Sequence, residues 1–267
     1  MAVAIRKAEL GDKAAVLDFC TDTFSWGDYI GDVWDRWASS GGLYVLEENG
    51  AVMGVYHLAF LDRQAWIEGM RVHPTCRRKG FGASMMHHAE SVIKNGTVRL
   101  VIESENRPSL SLAKSMGYGL DEEWRLFSML PEKQGSSAQV SSVAPSEDEH
   151  ELPQTCPDSW KWRRLDGSVL EKLSGKGQIL TYVENGSTLA FGIWNLSEDF
   201  PKTFQVGFVT GSKKGVGEVL KLAKNMAYSS GCDKIQVFAP EKSMLESPYL
   251  EKKSLFHLMK KELGKNL

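Results

Sequence analysis

The sequence predicts an α/β protein built from two similar halves, and three observations carry this prediction. Strand-like and helix-like segments alternate along the 267 residues. The dipeptide Asn-Gly, a hairpin signal, lies between alternating apolar segments at residues 49–50 and again at 185–186. A basic Gly-x-Gly helix start follows each hairpin, at residues 80–82 and 215–217. The repeated order of hairpin, strand, glycine-containing helix start and strand indicates an internal duplication.

The first half has a signal for each of its elements. The first helix begins near Asp12, and the second ends at Gly41-Gly42. The last helix of this half has Pro108 in its first turn and Gly117 just beyond its end, the usual asymmetry of helix termini. The predicted order is strand, helix, helix, three strands, helix, strand, helix and strand, over residues 3–10, 13–24, 26–42, 43–48, 51–61, 64–72, 80–95, 98–104, 107–117 and 118–130.

The composition changes after this half. Residues 131–159 are rich in Ser, Pro and Glu and have no periodic apolar face, which is typical of a linker. The alternative is a long ordered loop that packs on a domain. Beyond it the pattern of the first half returns and finishes with a predicted helix over residues 251–263. We therefore expect domains at 1–130 and 160–267, joined by a linker at 131–159.

Composition and charge exclude several classes of protein. The chain is 42% hydrophobic and 25% charged, which is typical of a soluble globular protein, and its net charge of -2 argues against bulk nucleic-acid binding. No apolar run approaches the roughly 20 residues that span a bilayer, and no secretory signal is readable. The four cysteines are scattered without a C-x-x-C pair. We expect a cytoplasmic protein with free thiols and no nucleic-acid, membrane or metal partner.

The segment at residues 77–83 suits an anion at a helix start. Arg77, Arg78 and Lys79 supply positive charge, and arginine binds phosphate oxygens bidentately. Gly80 and Gly82 leave room for an anion to approach the unpaired N–H groups of the first helical turn. The spacing matches neither a Walker motif nor G-x-G-x-x-G. A solvated charged loop is the alternative interpretation.

Two motifs of the first half resemble those of the GCN5-related N-acetyltransferases, the GNAT family. The first is a strand followed by R-x-x-G-x-G and a helix, carried by Val72, Pro74, Arg77, Gly80 and Gly82. The second is matched by Asn106, Ser109, Leu112, Gly117 and Tyr118. The resemblance implies the GNAT fold, a mixed and mostly antiparallel sheet flanked by helices, present here twice in tandem with a degenerate second half.

The resemblance also implies an activity, the transfer of an acetyl group from acetyl-CoA directly to a primary amine of a small molecule or peptide. Backbone N–H groups at the helix start would bind the pyrophosphate, and the strand before it would pair with the pantetheine arm. A backbone N–H of this strand would stabilise the oxyanion. The implied cofactor-binding residues are Met70, Arg71, Val72, Arg77, Arg78, Lys79, Gly80, Phe81, Gly82, Ala83, Asn106 and Ser109.

The sequence departs from the family at one position. The tyrosine that usually protonates the departing thiolate would fall at residue 113, which is Ala113. A thiolate leaves readily near neutral pH, so water, another residue or no acid at all would serve. The alternative function is a non-catalytic sensor or regulatory protein that binds acyl-CoA.

Glu68 is the candidate general base. Strand alternation predicts that Trp66, Glu68, Met70 and Val72 share one largely apolar face, where a carboxylate needs a partner or a task. A salt-bridged or edge glutamate is the alternative. Glu103 is the reserve candidate, and the resemblance implies that Asn106 also reaches the attacking amine.

The region around the second helix would line the acceptor pocket. Most of its aromatic residues have helical spacing and are expected in the core, whereas Tyr29 and Trp26 are candidates for substrate contact, together with Glu103. The nearby Asp28 and Asp32 would suit a cationic amine. A fainter similarity to the histidine N-acetyltransferase branch points to small, amino-acid-like acceptors.

The second half retains Gly215 and Gly217 but has Ser212 in place of the first arginine. We therefore expect a degenerate domain, with a second working site as the alternative. The histidines at positions 57, 73, 87 and 88 are expected on the surface or in packing contacts. The protein is expected to be a monomer or a homodimer.

Overall fold

The computed structural model describes residues 3–21, 23, 27–61, 64–146 and 150–264. The strands of the first part are β1 (Val3–Lys7), β2 (Leu43–Glu48), β3 (Ala51–Leu61), β4 (Gln64–Val72), β5 (Gly96–Glu103) and β6 (Gly119–Met129). The later strands are β7 (Gln139–Ser141), β8 (Thr155–Asp158), β9 (Lys161–Arg164), β10 (Ile179–Glu184), β11 (Ser187–Leu196), β12 (Thr203–Gly211), β13 (Lys234–Pro240) and β14 (Glu251–Leu263). The α-helices are α1 (Lys13–Cys20), α2 (Ile30–Ser39), α3 (Phe81–Ile93), α4 (Arg107–Ser115), α5 (Gly167–Gly175) and α6 (Lys213–Ser229).

The described chain forms two compact units. Unit 1 comprises the described residues up to Glu122 and those from His257 onward, and unit 2 comprises Glu123–Phe256. Two strands, β6 and β14, therefore contribute residues to both units. These bounds differ from the sequence prediction, which assigned residues 257–267 to the second domain.

Unit 1 contains a mixed sheet with helices on both faces. The strand order is β1-β2-β3-β4-β5-β14-β6, with antiparallel pairing from β1 to β4 and a parallel step between β4 and β5. Helices α1 and α2 pack with Val45 and Val55 on one face. Helices α3 and α4 share the core of the other face with Tyr56 and Ile67. The predicted α/β class with a mostly antiparallel sheet is confirmed.

A β-bulge in β4 overturns the predicted alternation of this strand. His57 pairs with Glu68 and Val55 with Arg71, so β4 has one more residue than β3 between these pairs. Gly69, within the bulge, has a φ of +61°. Met70 and Val72 consequently pack on the α3 face together with Ile67, whereas the partners of Glu68 lie on the α2 face. The prediction that Trp66, Glu68, Met70 and Val72 share one face was wrong, because a bulge reverses the order in which side chains face each side.

The predicted helix over residues 251–263 was also wrong, since this segment is β14. Leu258 and Met259 are adjacent and both fully buried, which a strand covered on both faces allows. Met259 belongs to the α3-side core of unit 1, and Lys261 pairs with Glu90 there at 2.9 Å. A short apolar run of this kind does not separate strand from helix by its spacing alone.

Unit 2 repeats the mixed architecture with the strand order β6-β13-β12-β11-β10-β7 and with α6 packed on its core. The step between β12 and β13 is parallel, and the other ladders are antiparallel. The described part of residues 131–159 is held on this unit. Strand β7 pairs with β10, and the hydroxyl of Ser136 and the N–H of Ser137 bond to Glu218.

Candidate active site

The parallel strands β4 and β5 separate beyond their first residues. The described ladder comprises the pairs Gln64↔Thr97, Ala65↔Val98 and Trp66↔Arg99, although β4 continues to Val72 and β5 to Glu103. On its other side β4 stays paired with β3 up to Val72↔Gly54. The edge of β4 that faces β5 is therefore open to hydrogen bonding from Ile67 onward, as the predicted pairing with an extended ligand requires.

The basic loop, defined as residues 77–80, lies between the end of β4 and the start of α3. Arg77, Arg78 and Lys79 are exposed, and Gly80 takes a left-handed φ of +85° just before the helix. Among the described residues, no side chain caps α3, so the N–H groups of its first turn face the loop. A Cβ at Gly80 would meet nothing within 4 Å. The cationic side chains, the uncapped amides and the open space fit a pyrophosphate.

The first turn of α3 packs on the hydrophobic core and on α4. Phe81 is buried, and Ala83 packs on the same core. Gly82 lies against α4, where a Cβ would come within 2.9 Å of a methyl group of Leu112. Gly82 therefore allows α4 to lie close to the start of α3, and a larger residue there would push the two helices apart.

Helix α4 carries the second predicted motif. Asn106 is exposed and caps the helix, because its Oδ1 accepts the N–H of Ser109 at 3.2 Å. Its own N–H donates to the carbonyl of Glu103, the half-buried last residue of β5, at 2.9 Å. Ala113 is fully buried in the α3-side core. The positions of Asn106, Ser109 and Glu103 bring them near the end of β5, and their roles toward substrate and cofactor stay predictions.

Glu68 is held by a histidine. Its Oε1 lies 2.8 Å from Nδ1 of His57, directly opposite on β3. Both side chains are largely buried, with exposures of 12% for Glu68 and 5% for His57. The imidazole stacks on the indole of Trp37 from α2, with ring centroids 4.3 Å apart and an interplanar angle of 5°. Its Nε2 lies 3.3 Å from the hydroxyl of Ser40.

Arg71 and Asp28 form a second buried pair on this face. Nε of Arg71 donates to Oδ2 of Asp28 at 2.7 Å, and Oδ1 of Asp28 accepts the N–H of Ile30 at the start of α2. Burial alone would lower the pKa of Arg71, but Tyr29 and the bonded Asp28 outweigh it and raise that pKa. The guanidinium also lies over the ring of Tyr29, 5.5 Å from its centroid. Asp28 is thus already neutralised, and the expectation that it serves a cationic amine loses its support.

The predicted acceptor residues are only partly described. Tyr29 precedes α2, is half-buried and contacts Trp37 edge-on with centroids 5.9 Å apart. Trp26 lies outside the described residues. Asp32 is exposed on the first turn of α2.

Sequence reasoning missed His57 as the partner of Glu68, although a signal was present. The predicted connection between the two strands at residues 62–63 is two residues long. In the structure Leu61 pairs with Gln64, so counting four residues back along β3 and four forward along β4 places His57 opposite Glu68. The register of a hairpin follows from the length of its loop.

The described part of unit 2 differs from unit 1 at the corresponding positions. The fifth residue of β12, in the place that Glu68 occupies in β4, is Gly207, and a Cβ there would lie 2.3 Å from the carbonyl oxygen of Pro157. Helix α6 begins directly after Ser212, whose hydroxyl caps it by accepting the N–H of Gly215 at 3.2 Å. Lys214 pairs with Glu184 at 2.7 Å. The helix start is capped and the face of the strand is covered.

The fold is that of the GNAT acetyltransferases. The chain is similar to the GCN5-related N-acetyltransferase of Sphaerobacter thermophilus, with a TM-score of 0.64 and 17% identity over 97% of this chain and 95% of the other. It is also similar to a tandem GNAT protein from the clavulanic acid biosynthesis pathway, with a TM-score of 0.58 and 13% identity over 99% of this chain and 100% of the other. At these identities the likeness concerns the fold, including its tandem arrangement.

The sequence of unit 1 matches a family model. Residues 13–118 match the model of the Acetyltransferase (GNAT) family, which agrees with the resemblance carried by the two motifs of this segment. Acetyl-CoA-dependent acetyl transfer is the general reaction of this family. Among curated proteins, none matches the sequence.

The described ranges contain no group of three or more His, Cys, Asp or Glu side chains that could hold a metal ion. No helix within them is long and apolar enough to cross a membrane.

Proposed function

We propose that unit 1 transfers an acetyl group from acetyl-CoA directly to a primary amine, with Glu68 as the general base. One observation carries the proposal. A single strand, β4, has an open edge toward β5, leads into the uncapped start of α3, and presents Glu68 at its bulge. Cofactor binding and proton removal are therefore assigned to consecutive parts of one rigid element, which favours fixed geometry between the reactants.

Different residues of unit 1 would bind the cofactor and remove the proton. Acetyl-CoA supplies an activated acetyl thioester. The first-turn amides of α3, with Arg77, Arg78 and Lys79, would hold its pyrophosphate, and the open edge from Met70 to Val72 would bind its pantetheine arm. Backbone N–H groups on this edge are the candidate donors to the oxyanion. Glu68 would remove a proton from the substrate ammonium, directly or through water, so that a neutral amine attacks.

The leaving thiolate requires no protein acid at residue 113. Ala113 lies in the core, with 1% of its surface exposed, and carries no ionisable group. A thiolate is stable enough near neutral pH to depart unassisted or with water as the proton donor. The proposal therefore does not require a substitute for the missing tyrosine.

The acceptor is proposed to be a small molecule or a peptide with a primary amine. Tyr29, which contacts Trp37 edge-on, would line the acceptor side. Since Asp28 is paired with Arg71, a cationic group elsewhere in the acceptor has no free carboxylate at this position. We further propose that the protein acts in the cytoplasm, since all four of its cysteines are free thiols. A monomer or a homodimer is proposed as its oligomeric state.

A second candidate function is a sensor that binds acyl-CoA without turnover. It is favoured by the buried Ala113 at the position of the usual acid and by the covered strand of unit 2. Such a protein would use the basic loop but would have no use for Glu68.

Glu68→Gln distinguishes the two functions. Turnover would be followed as thiol release from acetyl-CoA with a panel of amino acids, polyamines, aminoglycosides and peptide N-termini, and acetyl-CoA affinity by calorimetry. For a catalyst, we expect the variant to lose roughly a hundredfold or more in kcat, the usual contribution of a general base, with unchanged cofactor affinity. Glu90→Gln is the matched control, because Glu90 is a half-buried glutamate of unit 1 in an ion pair with Lys261. Cofactor binding without turnover by the unmodified protein on any acceptor would favour the sensor.

A further inference from the structure

We infer that His57 is a positioning residue for Glu68, which it holds in the orientation needed for proton removal. The inference rests on the proposed role of Glu68 as the base. The observation that supports it is the arrangement around the imidazole of His57. Glu68 lies at Nδ1, the Ser40 hydroxyl lies at Nε2, and Trp37 stacks on the face of the ring. Each of these contacts fixes a different degree of freedom of the side chain.

The backbone prepares this arrangement. His57 and Glu68 are a directly opposed pair between β3 and β4, just before the bulge at Gly69. Close packing on both sides leaves the imidazole little room. A Cβ at Gly42 would lie 3.0 Å from Nε2 of His57, and a Cβ at Gly69 would lie 2.5 Å from the Trp37 ring. Glycines at these two places let the indole and the imidazole occupy the space beside Glu68.

The contact with the carboxylate places a hydrogen on Nδ1. An ionised carboxylate only accepts, so Nδ1 of His57 carries the hydrogen and donates it to Oε1 of Glu68. Nε2 lies 3.3 Å from the oxygen of Ser40, whose hydroxyl donates its hydrogen to the carbonyl of Trp37 at 2.8 Å. This chain fixes one carboxylate oxygen and hence the plane of the carboxylate. A glutamate has several rotatable bonds, so restricting it before the substrate arrives removes an entropic cost from the proton transfer.

A packing role alone explains less of this geometry. Stacking on Trp37 would be equally served by an aromatic ring without nitrogen atoms, yet both ring nitrogens lie within hydrogen-bonding distance of a partner. His88 offers the contrast on the other face of the sheet. Its Nδ1 lies 2.6 Å from the hydroxyl of Tyr56, within the core that α3 covers. It lies on the opposite side of the sheet from the proposed base and provides a control.

The test compares two substitutions of equal shape. Asparagine and leucine are close in size and branching, but only asparagine places an N–H near the position of Nδ1. In His57→Asn the donor to Glu68 is retained, and in His57→Leu it is lost, while both variants lose the stacked ring. The same pair at His88 controls for the loss of a hydrogen-bonded histidine. Thermal melting and acetyl-CoA affinity would be measured for each variant alongside kcat and KM.

We expect His57→Leu to lower kcat roughly tenfold to a hundredfold, the range that corresponds to one hydrogen bond to a charged group. His57→Asn should recover most of this loss, and KM for acetyl-CoA should stay within about twofold in both, since neither touches the basic loop. In a Glu68→Gln background the two substitutions should cost little more, because residues that act as a unit are not additive. The His88 pair should leave kcat unchanged.

Equal kcat values for the Asn and Leu variants, or a full further loss in the Glu68→Gln background, would overturn the inference. If Glu68→Gln itself retains turnover, the base assignment fails, and the inference fails with it for that separate reason. Should His57→Leu not fold, His57→Phe, which keeps a ring against Trp37 but has no donor to Glu68, takes its place in the two backgrounds, since a structural role predicts additive losses and a positioning role does not.

Discussion

Gly69 is the position where a single methyl group should disturb both the fold and the site. Its φ of +61° belongs to the left-handed region, which an L-residue with a Cβ enters at a cost. A Cβ built there would lie 2.5 Å from Cζ3 and 2.8 Å from Cη2 of Trp37. Trp37 is fully buried and stacks on His57, so it cannot yield without moving the partner of Glu68.

The magnitude for Gly69→Ala has two parts. The left-handed conformation costs about 1–2 kcal/mol for a residue with a side chain. Forcing an extra methyl into a packed core costs typically about 1–3 kcal/mol more. We therefore expect a loss of about 2–5 kcal/mol in the free energy of unfolding of unit 1. The same shift of Trp37 should lower kcat, because it moves His57 relative to Glu68.

Gly50→Ala is the matched control. Gly50 belongs to the same unit, has a φ of +83° and would have nothing within 4 Å of a new Cβ. It therefore carries the conformational cost of about 1–2 kcal/mol without the steric one. Urea unfolding followed by tryptophan fluorescence would measure both variants, with kcat measured on the folded protein.

The comparison can refute the argument in a simple way. If Gly69→Ala loses no more stability than Gly50→Ala, the contact with Trp37 is not a packing constraint. If stability falls as expected but kcat is unchanged, the bulge supports the fold without setting the position of Glu68.

Two further predictions follow from the charged groups. Arg77→Ala should raise the KM for acetyl-CoA roughly three- to thirtyfold, a modest effect because an exposed cation on a phosphate contributes less than a buried one. Lys213→Ala, at the capped start of α6, is the control and should not change this KM. Equal effects of the two substitutions would contradict the assignment of the cofactor to unit 1. Burial alone would raise the pKa of Asp121, but Lys260 and Arg99 outweigh it and leave that pKa below its ordinary value. The stabilisation by Asp121 is therefore full above about pH 4 and declines as the pH falls further. The difference in the free energy of unfolding between wild type and Asp121→Asn should then shrink from pH 7 to pH 3. A difference that stays constant over this range would contradict the prediction.

Local patterns in the sequence were enough for the class of fold and for the position of the basic loop before α3. The hairpin at Asn49-Gly50, the helix start after Gly80 and the cap at Asn106 all depend on residues close together in the chain. Turn chemistry, capping and glycine conformations act over a few residues, so they are readable without knowing the partners. The two motifs then pointed to the family whose model matches residues 13–118.

The sequence also contained more than the first interpretation used. The pairing of His57 with Glu68 follows from a two-residue connection between β3 and β4, which was itself predicted. The bulge at Gly69 was not foreseen, since a glycine within a strand pattern allows either a bulge or a close approach of another group. Here it provides both, with Trp37 as the group that approaches.

Only the tertiary structure determined the secondary structure of the C-terminal segment and the partners of the two candidate carboxylates. Residues 251–263 have apolar spacing that suits either a helix or a doubly covered strand, and insertion beside β5 selected the strand. Asp28 and Glu68 look equally available in the sequence, yet Arg71 neutralises one and His57 orients the other. Local propensity determines elements, but pairing over long sequence separations depends on which surfaces meet in the folded chain, and no local pattern records that.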